Sequence, residues 1–218
     1  MIKLFFVFFF ISYASILEIN CREYITVIGS DRHTNWGDWH DPVFCPGYSF
    51  AVGVDIKFER YVWAGDDTHL NAIRLTCDDT ASTKVERVHL ENDILGLLGE
   101  SAKLAHFFTK EQLSNGCDNM GKFIGFKFEA EPRISGDDTA GNMITMYCEG
   151  KGSVWFNLQY FGTKIKETKK YCPDGQAICG IRTQIEPKVK GDNTALNNVD
   201  FYCCKNFYKL FNIATKKP

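Results

Sequence analysis

Apolar and polar residues alternate with period two in six short stretches of the chain. Val54, Ile56 and Phe58 are interleaved with Asp55, Lys57 and Glu59. Phe126 and Phe128 are interleaved with Lys127 and Glu129, and Ile181 and Ile185 with Arg182, Gln184 and Glu186. The same alternation places Ile73, Leu75 and Cys77 on one face, then Ile144, Met146 and Cys148, then Val199, Phe201 and Cys203. Period two marks a strand with one buried face. The pattern predicts six core-lining strands and an all-β fold. Weaker alternation over Lys84 to Leu90, and over Val154, Phe156, Leu158 and Tyr160, predicts further strands in the connections. Leu95 to Phe108 reads as a short helix or loop.

The six strands come in three pairs that share one register. Between the members of each pair stands Gly-Asp-x-Thr: Gly65, Asp66 and Thr68; Gly136, Asp137 and Thr139; Gly191, Asp192 and Thr194. Asn71, Asn142 and Asn197 follow at one offset, and Cys77, Cys148 and Cys203 close each copy at another. Cys45, Cys117 and Cys172 stand 32, 31 and 31 residues before those closing cysteines, and eight residues after each comes a glycine: Gly53, Gly125 and Gly180. A register kept this long is an internal repeat, and the repeat sets the fold. Each unit runs opening cysteine, strand, turn, strand, closing cysteine. The units are predicted at about 25–77, 78–148 and 149–204, within a single domain over 25–204. Gly and Asp supply the backbone angles and local hydrogen bonds of a tight reversal, so the turns are assigned a structural role. Turn-to-turn distances of 71 and 55 residues place an insertion of 16 in the middle unit.

Nine cysteines refine this picture. The repeated spacing pairs Cys45 with Cys77, Cys117 with Cys148, and Cys172 with Cys203. Cys179 and Cys204 are left for each other, because neighbours on a strand face opposite sides and Cys204 cannot share the site of Cys203. Cys21 is the odd one. Each bridge closing a loop of this size stabilises the fold by roughly 3–4 kcal/mol. Bridges imply an oxidising compartment. The N-terminus agrees: one cation at Lys3, eight apolar residues from Leu4 to Ile11, then Ser12-Tyr13-Ala14. This reads as a secretory signal over 1–17 cleaved near Ala14. The apolar run is shorter than the ~20 residues a membrane span needs. Residues 205–218 form a basic tail.

A net charge of −2 gives no electrostatic footprint for nucleic acid. The cysteines lack Cys-x-x-Cys spacing, and the acidic turns lack the ligand ladder of a calcium loop, so neither a metal nor another cofactor is expected. Asp66/Asp67 and Asp137/Asp138 resemble the carboxylate pair of a glycosidase only by adjacency; an active site needs one copy, a fold uses three. The five histidines, His33, His40, His69, His89 and His106, have no ligand spacing. Trp36 and Trp39 in Trp36-Gly37-Asp38-Trp39 are candidates for stacking on sugar rings, or for plugging one end of the fold. Lys164 to Lys170 reads as a solvated charged connection.

The three Gly-Asp turns, Trp36-Gly37-Asp38-Trp39 with Pro42 and Cys45-Pro46, and the terminal Cys203-Cys204 together resemble the vitelline membrane outer layer protein I family. The resemblance covers about residues 25–204. It implies a β-prism, three antiparallel Greek-key sheets around a pseudo-threefold axis with four disulfides. It also implies a secreted protein of an extracellular coat, with coat proteins or glycans as partners. A sugar-transferring activity on N-acetylglucosamine oligomers has been ascribed to the family without agreed catalytic residues, and no catalytic residue is assigned here. A lectin-like module is the alternative by analogy of fold. The Trp-Gly-x-Trp element departs from the repeat: Phe107-Phe108 and Phe161-Gly162 stand near its place in the other units.

Overall fold

The computed structural model describes residues 26–59, 69–78, 88–91, 111–118, 121–134, 139–158, 162–187 and 194–206. The predicted signal, Cys21, the segment 95–108, the Gly-Asp residues of all three turns, Thr68 and residues 207–218 of the basic tail lie outside them. Thirteen strands occur among the described residues: β1 (Thr26–Gly29), β2 (Asp38–Trp39), β3 (Val43–Phe44), β4 (Ala51–Phe58), β5 (Leu70–Cys77), β6 (Val88–Glu91), β7 (Glu111–Gly116), β8 (Phe123–Ala130), β9 (Gly141–Cys148), β10 (Ser153–Val154), β11 (Lys166–Tyr171), β12 (Gln176–Ile185) and β13 (Leu196–Lys205).

These strands form three antiparallel sheets. The first has the order β6-β5-β4-β7 and the second β10-β9-β8-β11. The third has β1-β13-β12, with β2 and β3 both on the free side of β12. A strand pair, a third strand beside it and a fourth returning to the far edge is a Greek key. Three such sheets make the β-prism. The central pairs β4–β5, β8–β9 and β12–β13 are the six strands read from the alternation.

The inner faces meet in one core. Val54, Ile56, Leu75, Phe126, Phe128, Ile144, Met146, Ile181, Val199 and Phe201 are buried there, contributed by all three sheets. Each strand offers one apolar face, so a lone sheet would leave that face wet. Turning three faces onto an axis removes them from water together.

Sheets and sequence repeats are out of step. Strand β7 lies in the second repeat yet pairs with β4 of the first. Strand β11 lies in the third and pairs with β8 of the second. The third sheet is completed from the other end of the chain: β1 pairs with β13, and β2 and β3 with β12. Each opening cysteine follows such an outer strand directly. The bridges Cys45–Cys77, Cys117–Cys148 and Cys172–Cys203 therefore tie the outer strand of one sheet to the central pair of the next: third to first, first to second, and second to third.

The fourth bridge, Cys179–Cys204, lies on the outer face of the third sheet. The β12–β13 register shifts between Ile178 and Gly180, and the two other central pairs shift at the equivalent place, between Ala51 and Gly53 and between Phe123 and Gly125. Such a bulge leaves one residue unpaired and re-aims it. In the third sheet that residue is Cys179. It packs with Phe50, Ala177, Tyr202 and Cys204 in a small second cluster.

Strand β8 ends at Ala130 and β9 begins at Gly141, the other two pairs are separated to a similar extent, and the Gly-Asp turns between them lie outside the described residues. One expectation is corrected here. The stretch Lys164 to Lys170 is more than a solvated connection, since Lys166 to Tyr171 form β11. Lys166 and Lys169 are exposed, but Thr168 is buried and its hydroxyl oxygen accepts from the Asp31 amide at 2.8 Å. Charge read along the chain hid a strand whose pairing partner is remote in sequence.

Candidate functional site

The repeated Thr and Asn residues act at the bases of the long loops. In the second sheet the Glu131 carboxylate is buried at the end of β8. One of its oxygens accepts from the Thr139 amide at 3.1 Å and the Thr139 hydroxyl at 2.9 Å. The other accepts from the Thr163 hydroxyl at 3.1 Å and from the Thr163 amide. The third sheet repeats the scheme: Glu186 accepts from the Thr194 amide at 2.9 Å and hydroxyl at 2.8 Å. Asn142 donates to the Thr139 hydroxyl at 2.7 Å, and Asn197 to the Thr194 hydroxyl at 2.6 Å.

The same asparagines explain a backbone feature. His69, Ala140 and Ala195 occupy one position of the repeat and have φ of 41°, 45° and 49°. Left-handed backbone costs a non-glycine residue roughly 1–2 kcal/mol. The side-chain amides of Asn71, Asn142 and Asn197 donate to the carbonyls of these three residues at 3.0, 3.3 and 3.3 Å. Glu59, Glu131 and Glu186 donate their own amides to the same carbonyls at 2.7, 2.7 and 2.8 Å. The repeated Thr and Asn thus clamp loop entry to loop exit. The His69 ring nitrogen Nδ1 lies 2.9 Å from the Asn142 side-chain oxygen, tying the first sheet to the second.

Alternation alone does not single out these glutamates as a set: it makes Glu59 and Glu186 polar members of a strand and points to Glu129 rather than Glu131. The signal was available: a glutamate stands eight or nine residues before each repeated threonine.

Trp39 sits on the outer face of the third sheet, where Asp38–Trp39 pair with Gln184 and Ile185. The Arg32 and Arg182 guanidiniums lie over its ring, 4.5 and 4.6 Å from the centroid. Both also bind Asp200, a buried carboxylate, with contacts of 2.5 Å from Arg32 and 2.8 Å from Arg182. The indole thus serves as a surface for two structural arginines. Trp36 donates its backbone amide to the Asn197 side chain at 3.2 Å. The motif lies against the end of β12 and the start of β13. Gly37, at φ 75°, permits this: a Cβ there would come within 2.1 Å of the Ile185 carbonyl oxygen.

A second aromatic feature lies on the outer face of the second sheet. Tyr147 of β9 and Tyr171 of β11 flank Gly125 of β8 in one row across the sheet. Their ring centroids are 4.9 Å apart. Phe44 and Tyr202 flank Gly180 in the third sheet with the same centroid distance, 4.9 Å. The sequence carried this signal as well: Phe44, Tyr147, Tyr171 and Tyr202 each immediately precede a bridge cysteine.

Residues 26–206 match the profile of the family described as vitelline membrane outer layer protein I. A human protein, vitelline membrane outer layer protein 1 homolog, is 31% identical over 192 residues, covering 84% of this chain and 85% of its own length. The mouse protein of the same name is 30% identical over 190 residues, covering 83% and 84%. Among solved structures, that of the Calystegia sepium agglutinin is 11% identical with a TM-score of 0.50, covering 84% of this chain and 99% of that one. The last likeness is one of fold.

Proposed function

This chain belongs to the vitelline membrane outer layer protein I family, and from that premise we propose that it is a secreted structural component of an extracellular coat or matrix. The observation that carries this reading is the stapling of all three sheets. An oxidised bridge ties the outer strand of each sheet to the central pair of the next sheet, and a fourth pins the bulge of the third. Bridges of this kind form and persist in oxidising surroundings. The repeated polar residues are engaged in shaping loops, as a coat element that must keep its form requires. Among the described residues no helix is long and apolar enough to cross a membrane.

Expression of the full chain in secretory cells tests the proposal. The expected product is found in the medium, begins shortly after Ala14 and carries four bridges. An antibody to it should stain the extracellular coat of the tissue that makes it. Retention inside the cell, or staining confined to intracellular compartments, would overturn the reading.

A further inference from the structure

The aromatic pair of the second sheet has an internal control in the third. In the third sheet the pair is covered: Tyr202 is 4% exposed and packs in the cluster that holds the Cys179–Cys204 bridge and Phe50. In the second sheet the equivalent pair is open: Tyr147 is half-buried and Tyr171 is 48% exposed. The first sheet has Thr76 and Gly116 in the corresponding places, flanking Gly53, and so has no pair. Only the third sheet uses this arrangement to bury surface. The bare version is an apolar surface that folding does not account for.

The shape of the bare pair is built. Gly125 lies beneath it as a floor: a Cβ there would come within 2.5 Å of the Tyr171 ring and 2.7 Å of the Lys170 carbonyl oxygen. With no side chain at Gly125, the Tyr171 ring reaches over β8 to Tyr147, and the two rings are inclined by 32°. The result is a shallow aromatic ledge.

The charge at the ledge is also fixed. The Lys169 ammonium lies 4.9 Å from the Tyr147 centroid and 5.7 Å from that of Tyr171. Hydrogen bonding to the Tyr171 and Tyr147 side chains raises its pKa, so it is a cation at neutral pH. Among the described residues it has no carboxylate partner. The other charges on this face are spoken for: Lys127 lies 3.1 Å from Glu129 and 3.7 Å from Glu167. Lys170, the next residue, points to the opposite face of β11 and pairs with Asp31 at 2.8 Å.

We infer that this ledge binds an acidic saccharide, with a sugar ring on Tyr147 and Tyr171 and its carboxylate or sulfate at Lys169. A pyranose has one face of C–H groups that suits an aromatic ring, while its hydroxyls suit the phenols at the ledge. The lone ammonium selects an anionic substituent over a neutral sugar. The site goes beyond the coat role, which stands without it; a coat protein holding this site would be able to cross-link protein to acidic glycan.

The test is titration of the full secreted chain with three tetrasaccharides: hyaluronan, chondroitin sulfate and neutral chitotetraose. Calorimetry gives affinity, and the ring protons of Tyr147 and Tyr171 report the place. One or both acidic probes should bind, more weakly as salt is raised, and shift those protons, while chitotetraose does not. The two acidic arms tell carboxylate from sulfate. Tyr171→Ala and Lys169→Gln should each weaken binding about tenfold or more, with unchanged thermal midpoints because both side chains are exposed. Trp39→Phe should leave binding unchanged. Three results would overturn the inference: no acidic probe binding up to ~10 mM, chitotetraose binding equally well, or binding that survives both variants. None of these bears on whether the protein is found in a coat.

Discussion

A glutamate at the end of a strand decides whether a loop of this prism has a fixed base. Glu131 is 1% exposed, and its carboxylate serves two amides and two hydroxyls from residues 139 and 163. Removing it leaves the two buried Thr139 donors without an acceptor, and each such group costs about 1–3 kcal/mol, while the exposed Thr163 donors can turn to water. Glu131→Ala is expected to lower unfolding free energy by about 2–4 kcal/mol in urea titrations, and Glu131→Gln by less, since a carboxamide still accepts. A histidine gives a different handle. Burial holds the His40 imidazole below its ordinary pKa of 6.5, against the opposing pull of Asp38 and Asp41. Its Nε2 is buried with no hydrogen-bond partner among the described residues. Between the lowered value and 6.5 the unfolded chain binds the proton and the folded protein does not. Stability is therefore full above that window and falls as pH drops through it. Thermal midpoints measured from pH 8 to pH 5 should fall for the natural chain, and fall less for His40→Asn.

At the scale of the element, the bulge and its glycine set how closely an outer strand approaches the central pair. The three equivalent glycines are not equally constrained. A Cβ at Gly125 would meet the Tyr171 ring at 2.5 Å and backbone at 2.7 Å; at Gly53 the nearest atom is the Thr76 Cβ at 3.1 Å. Gly125→Ala must move β11, and overpacking of that kind costs about 1–3 kcal/mol. Gly53→Ala asks for only a few tenths of an ångström. The expected order of thermal midpoints is natural chain, then Gly53→Ala, then Gly125→Ala. Equal midpoints for the two variants would mean that the aromatic pair does not press on the strand beneath it.

At the scale of the whole molecule, the prism is closed by its two ends. Strand β1 covers the free edge of β13, with Thr26 opposite Cys203 and Gly29 opposite Asp200. Arg32 then reaches the buried Asp200 carboxylate, and Lys170 meets Asp31 where β11 and β1 come together. The third sheet thus assembles from segments separated by most of the chain, and its pairing is paid in loop-closure entropy that local hairpins avoid. An uncovered β13 would be a template for another strand. Closure by the N-terminal segment removes that edge and makes a self-contained unit. That is the form in which the secretion and staining experiments should find the protein, and the ledge on its second sheet is then free to meet a glycan.

Local rules were enough for much of this. Period-two alternation placed all six central strands, because each had only to present one face to a core. Val54, Phe126 and Ile181 were assigned inward by pattern alone, and all three are fully buried. Repetition fixed the four bridges, since one spacing used three times leaves little else to choose, and opposite-facing neighbours gave Cys204 to Cys179. Pairing between distant segments was beyond such rules. Nothing in Lys166 to Tyr171 announces a strand until Phe128, Lys127 and Phe126 lie beside it, and nothing near Thr26 points to Cys203. The glutamate clamps, the arginines over Trp39 and the bare tyrosine ledge are likewise products of tertiary proximity. Alternation reports which face of a strand meets a core; hydrogen bonds and ring contacts depend on which strand ends up alongside, and only the closed prism settles that.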